Sequence, residues 1–106
     1  MSLRSPAEVM ERLDAIEVDL ADRQVELEDA AWKWHTAKRD REKHRAETFL
    51  LAEGTVAERS AVAEKESATD GRDEEARYES LKAVVRTLET RASIGQSILR
   101  SQARAA

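Results

Sequence analysis

Cysteine is absent from this chain, so it has no disulfide and no thiolate chemistry. That absence suits a reducing compartment. Aromatic residues make up only 4% of the 106 residues, proline occurs once and glycine three times. Sheet proteins draw on aromatic and β-branched residues and on frequent turns, so this composition points away from them. No apolar run approaches the ~20 residues that span a bilayer. The start, MSLRSPAEVMERLD, lacks the apolar core of a signal peptide. A cytoplasmic protein with no membrane segment is the expectation. Large core side chains are scarce as well. The hydrophobic fraction is 41%, but much of it is alanine. Neighbouring helices or a second copy of the chain would have to supply the missing burial.

What is present is the composition of long helices. Charged residues make up 38% of the chain, and Ala, Glu, Arg and Leu dominate. Ser5-Pro6-Ala7-Glu8 places a hydroxyl at a helix N-cap, proline at the first helical position and glutamate three residues after the cap. Thr55-Val56-Ala57-Glu58 repeats that chemistry and follows Gly54, a residue suited to the left-handed conformation that closes helices. The reading is a single all-α domain over residues 1–106. Helix 1 runs from about 6 to 53, the turn falls at Gly54-Thr55, and helix 2 runs from about 56 to 104. The fold class is a long antiparallel helical hairpin with coiled-coil-like packing. A three-helix arrangement broken near Gly71 is the alternative, because glycine inside a helix costs ~1 kcal/mol against alanine and Asp70 can cap a new helix.

Apolar spacing supports this reading. Tyr78, Leu81, Val85, Leu88, Ala92 and Gly95 step by three and four. Val9, Leu13, Ile16, Leu20, Leu27 and Trp34 follow the same kind of seam and reach Leu51, interrupted by Arg23, Arg41 and His44. Charge is asymmetric. Residues 5–29 hold nine acids and two bases (net −7), and residues 30–53 hold six bases and four acids (+2). Residues 54–79 hold four bases and eight acids (−4), and residues 80–106 hold five bases and one acid (+4). Folding back at Gly54 sets opposite signs side by side, whereas a parallel pairing sets −7 against −4. Exposed ion pairs contribute only a few tenths of a kcal/mol each, so charge selects orientation more than it stabilises. An antiparallel pairing of helix 1 with its own copy is equally complementary.

No catalytic constellation is visible, and the chain is expected not to be an enzyme. His35 and His44 are its only histidines. His44 has Asp40 four residues before it, but Arg41, Lys43 and Arg45 around it repel a cation, so a solvated histidine and no metal site is the reading. There is no glycine-rich phosphate loop and no cofactor motif. The basic stretch Arg39, Arg41, Lys43 and Arg45 is a candidate nucleic-acid contact, with Trp32 and Trp34 nearby as stacking surfaces. The competing reading pairs these bases with the chain's own acids. Folding back at Gly54 would bring Arg45 near Glu64, Lys43 near Glu66 and Arg39 near Asp70, which makes nucleic-acid binding the unfavoured choice.

The stronger candidate is an apolar surface. Val18, Val25 and Trp32 recur at seven-residue intervals on the side of helix 1 away from the seam. Val84, Ile94 and Ile98 widen the stripe of helix 2 beyond what one partner helix covers. A second apolar stripe that ends in tryptophan marks another helix, here read as self-association, with a dimer favoured, or as an unidentified protein partner.

AEGTVAER (52–59), followed by a long helix closing in LETRASIGQS (88–97), resembles small uncharacterised helical proteins of actinobacterial bacteriophages. The resemblance implies a phage protein made in the host cytoplasm that acts by binding host or phage macromolecules. It brings no catalytic residues. The functional expectation is therefore a non-enzymatic helical interaction protein. The alternative is an accessory nucleic-acid-binding protein of phage replication or recombination.

Overall fold

A computed structural model describes residues 4–105. Of the single-domain span expected over 1–106, residues 1–3 and 106 lie outside the described residues. The chain is all-helical: α1 spans Pro6–Leu51, α2 Val56–Ser67 and α3 Arg72–Ala105. Among the described residues there is no strand.

Each helix start is fixed by local chemistry. At α1, the Glu8 amide donates to Ser5 Oγ at 3.2 Å. At α2, Thr55 sits at the N-cap with extended backbone, and its Oγ1 accepts from the Glu58 amide at 3.2 Å. The same hydroxyl donates to Glu58 Oε1 at 3.2 Å, which holds the glutamate over the cap. Gly54 has φ +110°, a conformation costly to residues with a β-carbon. α1 stops at Leu51, two residues before the expected end. Leu51, read as a seam residue, is the last residue of α1 and is 84% exposed.

The continuous helix expected over 56–104 is interrupted. Ser67 is buried, and its Oγ donates to the Ala63 carbonyl at 2.8 Å, a back-bond that bends helices. The Asp70 amide then reaches the Ser67 carbonyl at 3.1 Å, and the Arg72 amide reaches that of Thr69 at 3.3 Å. These tighter i→i+3 bonds lead into Gly71 at φ +74°. α3 restarts with Asp73, Glu74 and Glu75 in its first turn, where carboxylates suit the positive end of the helix dipole.

The chain divides into two compact units. The first comprises Met1–Glu28 with Ser80–Ala106, and the second comprises Asp29–Glu79. In the first unit Val9 and Leu13 of α1 and Leu81, Val85 and Leu88 of α3 are buried. Burying each such side chain contributes on the order of 1.5–3 kcal/mol. Gly95 faces Leu13 so closely that a β-carbon there would lie 2.6 Å from Leu13 Cδ2, so α1 and α3 approach through the missing side chain. The second unit buries small residues: Ala30, Ala63 and Ser67. Trp34 covers Gly71, and the His35 and Tyr78 rings meet at 6.0 Å between centroids.

Along α1, from Val9 to Thr48, alternate steps of three and four meet a buried or half-buried residue every time. Arg23, Arg41 and His44 fall in step with this pattern, so they occupy the seam rather than interrupt its phase. Long cationic side chains manage this by laying their stems on apolar surface while their heads stay wet.

Candidate interaction site

In the second unit, polar residues on the seam find specific partners. His44 Nδ1 lies 2.6 Å from Asp70 Oδ2, in the segment between α2 and α3. The hydrogen bond to Asp70 raises the histidine's pKa above its ordinary value. The charges of Asp70, Glu66 and Glu47 add to the rise, and partial desolvation opposes it. His44 is thus neither a free solvated histidine nor a partner of Asp40. Neither Asp40 nor a third acid joins it: among the described residues no three His, Asp or Glu side chains converge as a metal-ligand set.

The basic stretch does not form one face. Arg45 Nη2 meets Glu64 Oε2 at 3.2 Å, the partner expected for it. Lys43 does not reach Glu66 but sits 4.0 Å from Glu47 on its own helix. Glu66 instead accepts from Thr48 Oγ1 at 3.5 Å. Asp70 is taken by His44, so the expected Arg39–Asp70 pair is replaced. Arg41 lies over the Trp34 ring, 5.7 Å from its centroid, and Arg39 is exposed on another side of the helix. The bases therefore point in several directions, and Arg45 is neutralised.

In the first unit, α1 and α3 enclose an open groove of about 570 Å³. Leu13, Ile16, Ile94 and Ile98 line its apolar floor, and Arg4, Arg12 and Arg91 stand around it. Its end is tied by Gln102 Nε2, which donates to the Arg4 carbonyl at 2.8 Å. Arg4, Arg12 and Arg91 form no ion pair among the described residues. The groove exists because α3 carries two apolar seams. One, through Leu81, Val85 and Leu88, is covered by α1. The other, through Val84, Ile94 and Ile98, is left open: Ile94 is 55% exposed and Ile98 42%.

The structure brings Ile94 and Ile98 together in this groove. Val84 lies apart, in a shallower recess with Asp19, Arg23 and Thr87. Val18 and Val25, also in the first unit, line neither hollow and point outward, 65% and 68% exposed. Trp32, in the second unit, is 69% exposed, whereas Trp34 two residues on is half-buried. The arginine rim was not foreseen from sequence. Arg91 belongs to the basic C-terminal quarter, the +4 of residues 80–106, whereas Arg4 and Arg12 lie outside it. No helix among the described residues is long and apolar enough to cross a membrane.

Comparison with known protein families, with curated proteins and with solved structures gives no match for this chain.

Proposed function

We propose that this chain is a non-enzymatic interaction protein, a long antiparallel helical hairpin with coiled-coil-like packing that self-associates and binds a protein partner. The observation that carries the reading is the set of large apolar side chains left in solvent on regular helix faces. A chain this poor in large hydrophobic residues places Trp32, Val18, Val25, Ile94 and Ile98 outside its core. Apolar side chains repeated on a helical period, one of them tryptophan, are what partner helices bury.

The hairpin rests on how contact partners number. In the second unit Phe49 meets Arg59, Arg45 meets Glu64 and His35 meets Tyr78. In the first, Leu13 meets Gly95 and Arg4 meets Gln102. In both units the later partner climbs as the earlier one falls, the rule of a chain doubled back near Gly54. The resemblance to actinobacterial phage proteins makes a bacterial lysate the place to look for the partner.

Sedimentation at micromolar concentration tests self-association. The expected result is a species above the monomer mass that shifts toward monomer in Trp32→Ala. A monomer at all concentrations rejects it. Affinity capture from host lysate, with Trp32→Ala as control, tests the protein partner. Capture of labelled DNA in place of protein, lost when Arg39, Arg41, Lys43 and Arg45 become alanine, would replace this reading with nucleic-acid binding.

A further inference from the structure

We infer that the arginine-rimmed groove of the first unit receives Trp32 of a second copy of this chain. This inference rests on the self-association proposed above and names the two surfaces that meet. The groove sets three requirements. Its floor is apolar and open, so the occupant must present an apolar side chain. Its volume of about 570 Å³ has room for a side chain larger than valine or leucine. The side chains of Arg4, Arg12 and Arg91 on its rim form no ion pair among the described residues, so an occupant flanked by an acid suits it.

The chain's own surface meets all three. Trp32 is the largest exposed apolar side chain among the described residues. Val25, one heptad earlier on α1, continues its stripe. Glu28 stands one turn before Trp32 and forms no ion pair among the described residues, while Asp29 is paired with Lys33 at 2.9 Å. Outside the groove's own wall, residues 17–29 hold six acids and one base (net −5), and this charge leading up to Trp32 steers it toward a cationic rim. An indole face also suits arginine, whose guanidinium stacks on aromatic rings. The contact is between unlike surfaces, groove to stripe, not stripe to stripe.

That asymmetry supplies the test. Trp32→Ala removes the anchor and keeps the groove, whereas Ile94→Glu spoils the groove and keeps the anchor. Both positions are exposed, and circular dichroism checks that each variant folds. Sedimentation of the full chain should show each variant alone weakened about 30-fold or more in self-association, the loss expected of an interface hot spot. Mixing the two variants should restore association, weaker than wild type, because one intact groove then meets one intact tryptophan. Arg12→Glu with Arg91→Glu should behave as Ile94→Glu does and should also complement Trp32→Ala. If wild type associates but neither single variant weakens it, or if the weakened variants fail to complement, the groove–tryptophan contact is wrong while self-association stands. If wild type is a monomer throughout, self-association itself fails, and this inference with it.

Discussion

Replacing Gly71 with alanine should destabilise the chain by ~2 kcal/mol, and the structure shows where that figure comes from. Gly71 sits at φ +74°. Holding an L-residue in that left-handed region costs ~1–2 kcal/mol. The new β-carbon would lie 3.1 Å from Trp34 Cζ3 and 3.2 Å from Ala37 Cβ. Neither neighbour is the free end of a flexible chain, so overpacking adds ~1 kcal/mol or more. Against this, alanine restricts the unfolded chain and recovers ~0.4–1 kcal/mol. The net loss corresponds to a fall of about 8–16 °C in the thermal midpoint for a domain of this size. Thermal and urea denaturation followed by far-UV circular dichroism measure it. Gly71→Asn separates the causes, because asparagine tolerates positive φ but brings the same β-carbon, so it should lose less than alanine. If Gly71→Ala is as stable as wild type and gains helix signal, residues 68–71 have joined a continuous helix. The interruption would then not be held by Trp34 and the glycine conformation.

Thr55→Ala removes the hydroxyl that accepts from the Glu58 amide and should cost ~1 kcal/mol, read as a lower urea midpoint; an unchanged midpoint would show that this cap is silent. Stability should depend on pH through His44. Its folded pKa lies above the ordinary 6.5, so the His44–Asp70 contribution is fully present below pH 6.5 and is lost as pH rises through the raised value. Denaturant midpoints for wild type and His44→Gln, compared across that window, should differ in slope, and parallel curves would refute the role of the pair. Single- and double-stranded DNA should not bind tightly at physiological salt, because Arg45 is paired with Glu64 and residues 5–29 repel a polyanion; submicromolar binding that weakens steeply with salt would overturn this.

The helical character was legible because two capping sequences and a helix-forming composition agree. The break was legible only as a weak point. A glycine costs ~1 kcal/mol in a helix, which packing overrides easily. Part of what decides the outcome is non-local: Ser67 bonds back to the Ala63 carbonyl within its own helix, but Trp34, more than thirty residues away in sequence, covers Gly71. The polar seam residues misled for a similar reason. Arg23 reads as a gap, yet it is held by Asp19 at 3.3 Å and Glu26 at 3.0 Å, one turn away on either side. His44 reads as solvated until Asp70, in the segment between α2 and α3, comes beside it. The exposure of Ile94 and Ile98 was legible as a stripe too wide for one partner. The groove was not, since Arg4 and Gln102 come from opposite ends of the chain and no local pattern joins them.

The numbering of the contacts also sets an order of events in time. Arg59 meets Phe49 across 10 residues, His44 meets Asp70 across 26, and Gln102 meets Arg4 across 98. Each doubling of a loop adds only about 0.6 kcal/mol of closure entropy, but from 10 to 98 that is three doublings, roughly 2 kcal/mol. Within the second unit the partners are 10 to 43 residues apart, from Phe49–Arg59 to the tilted His35–Tyr78 ring pair, so its loops are the shorter ones to close. On loop length alone the second unit forms before the first, and the first opens before the second. Amide hydrogens near Leu13 and Gly95 should exchange faster than those near Ala30 and Ala63, although the first unit holds the larger buried side chains.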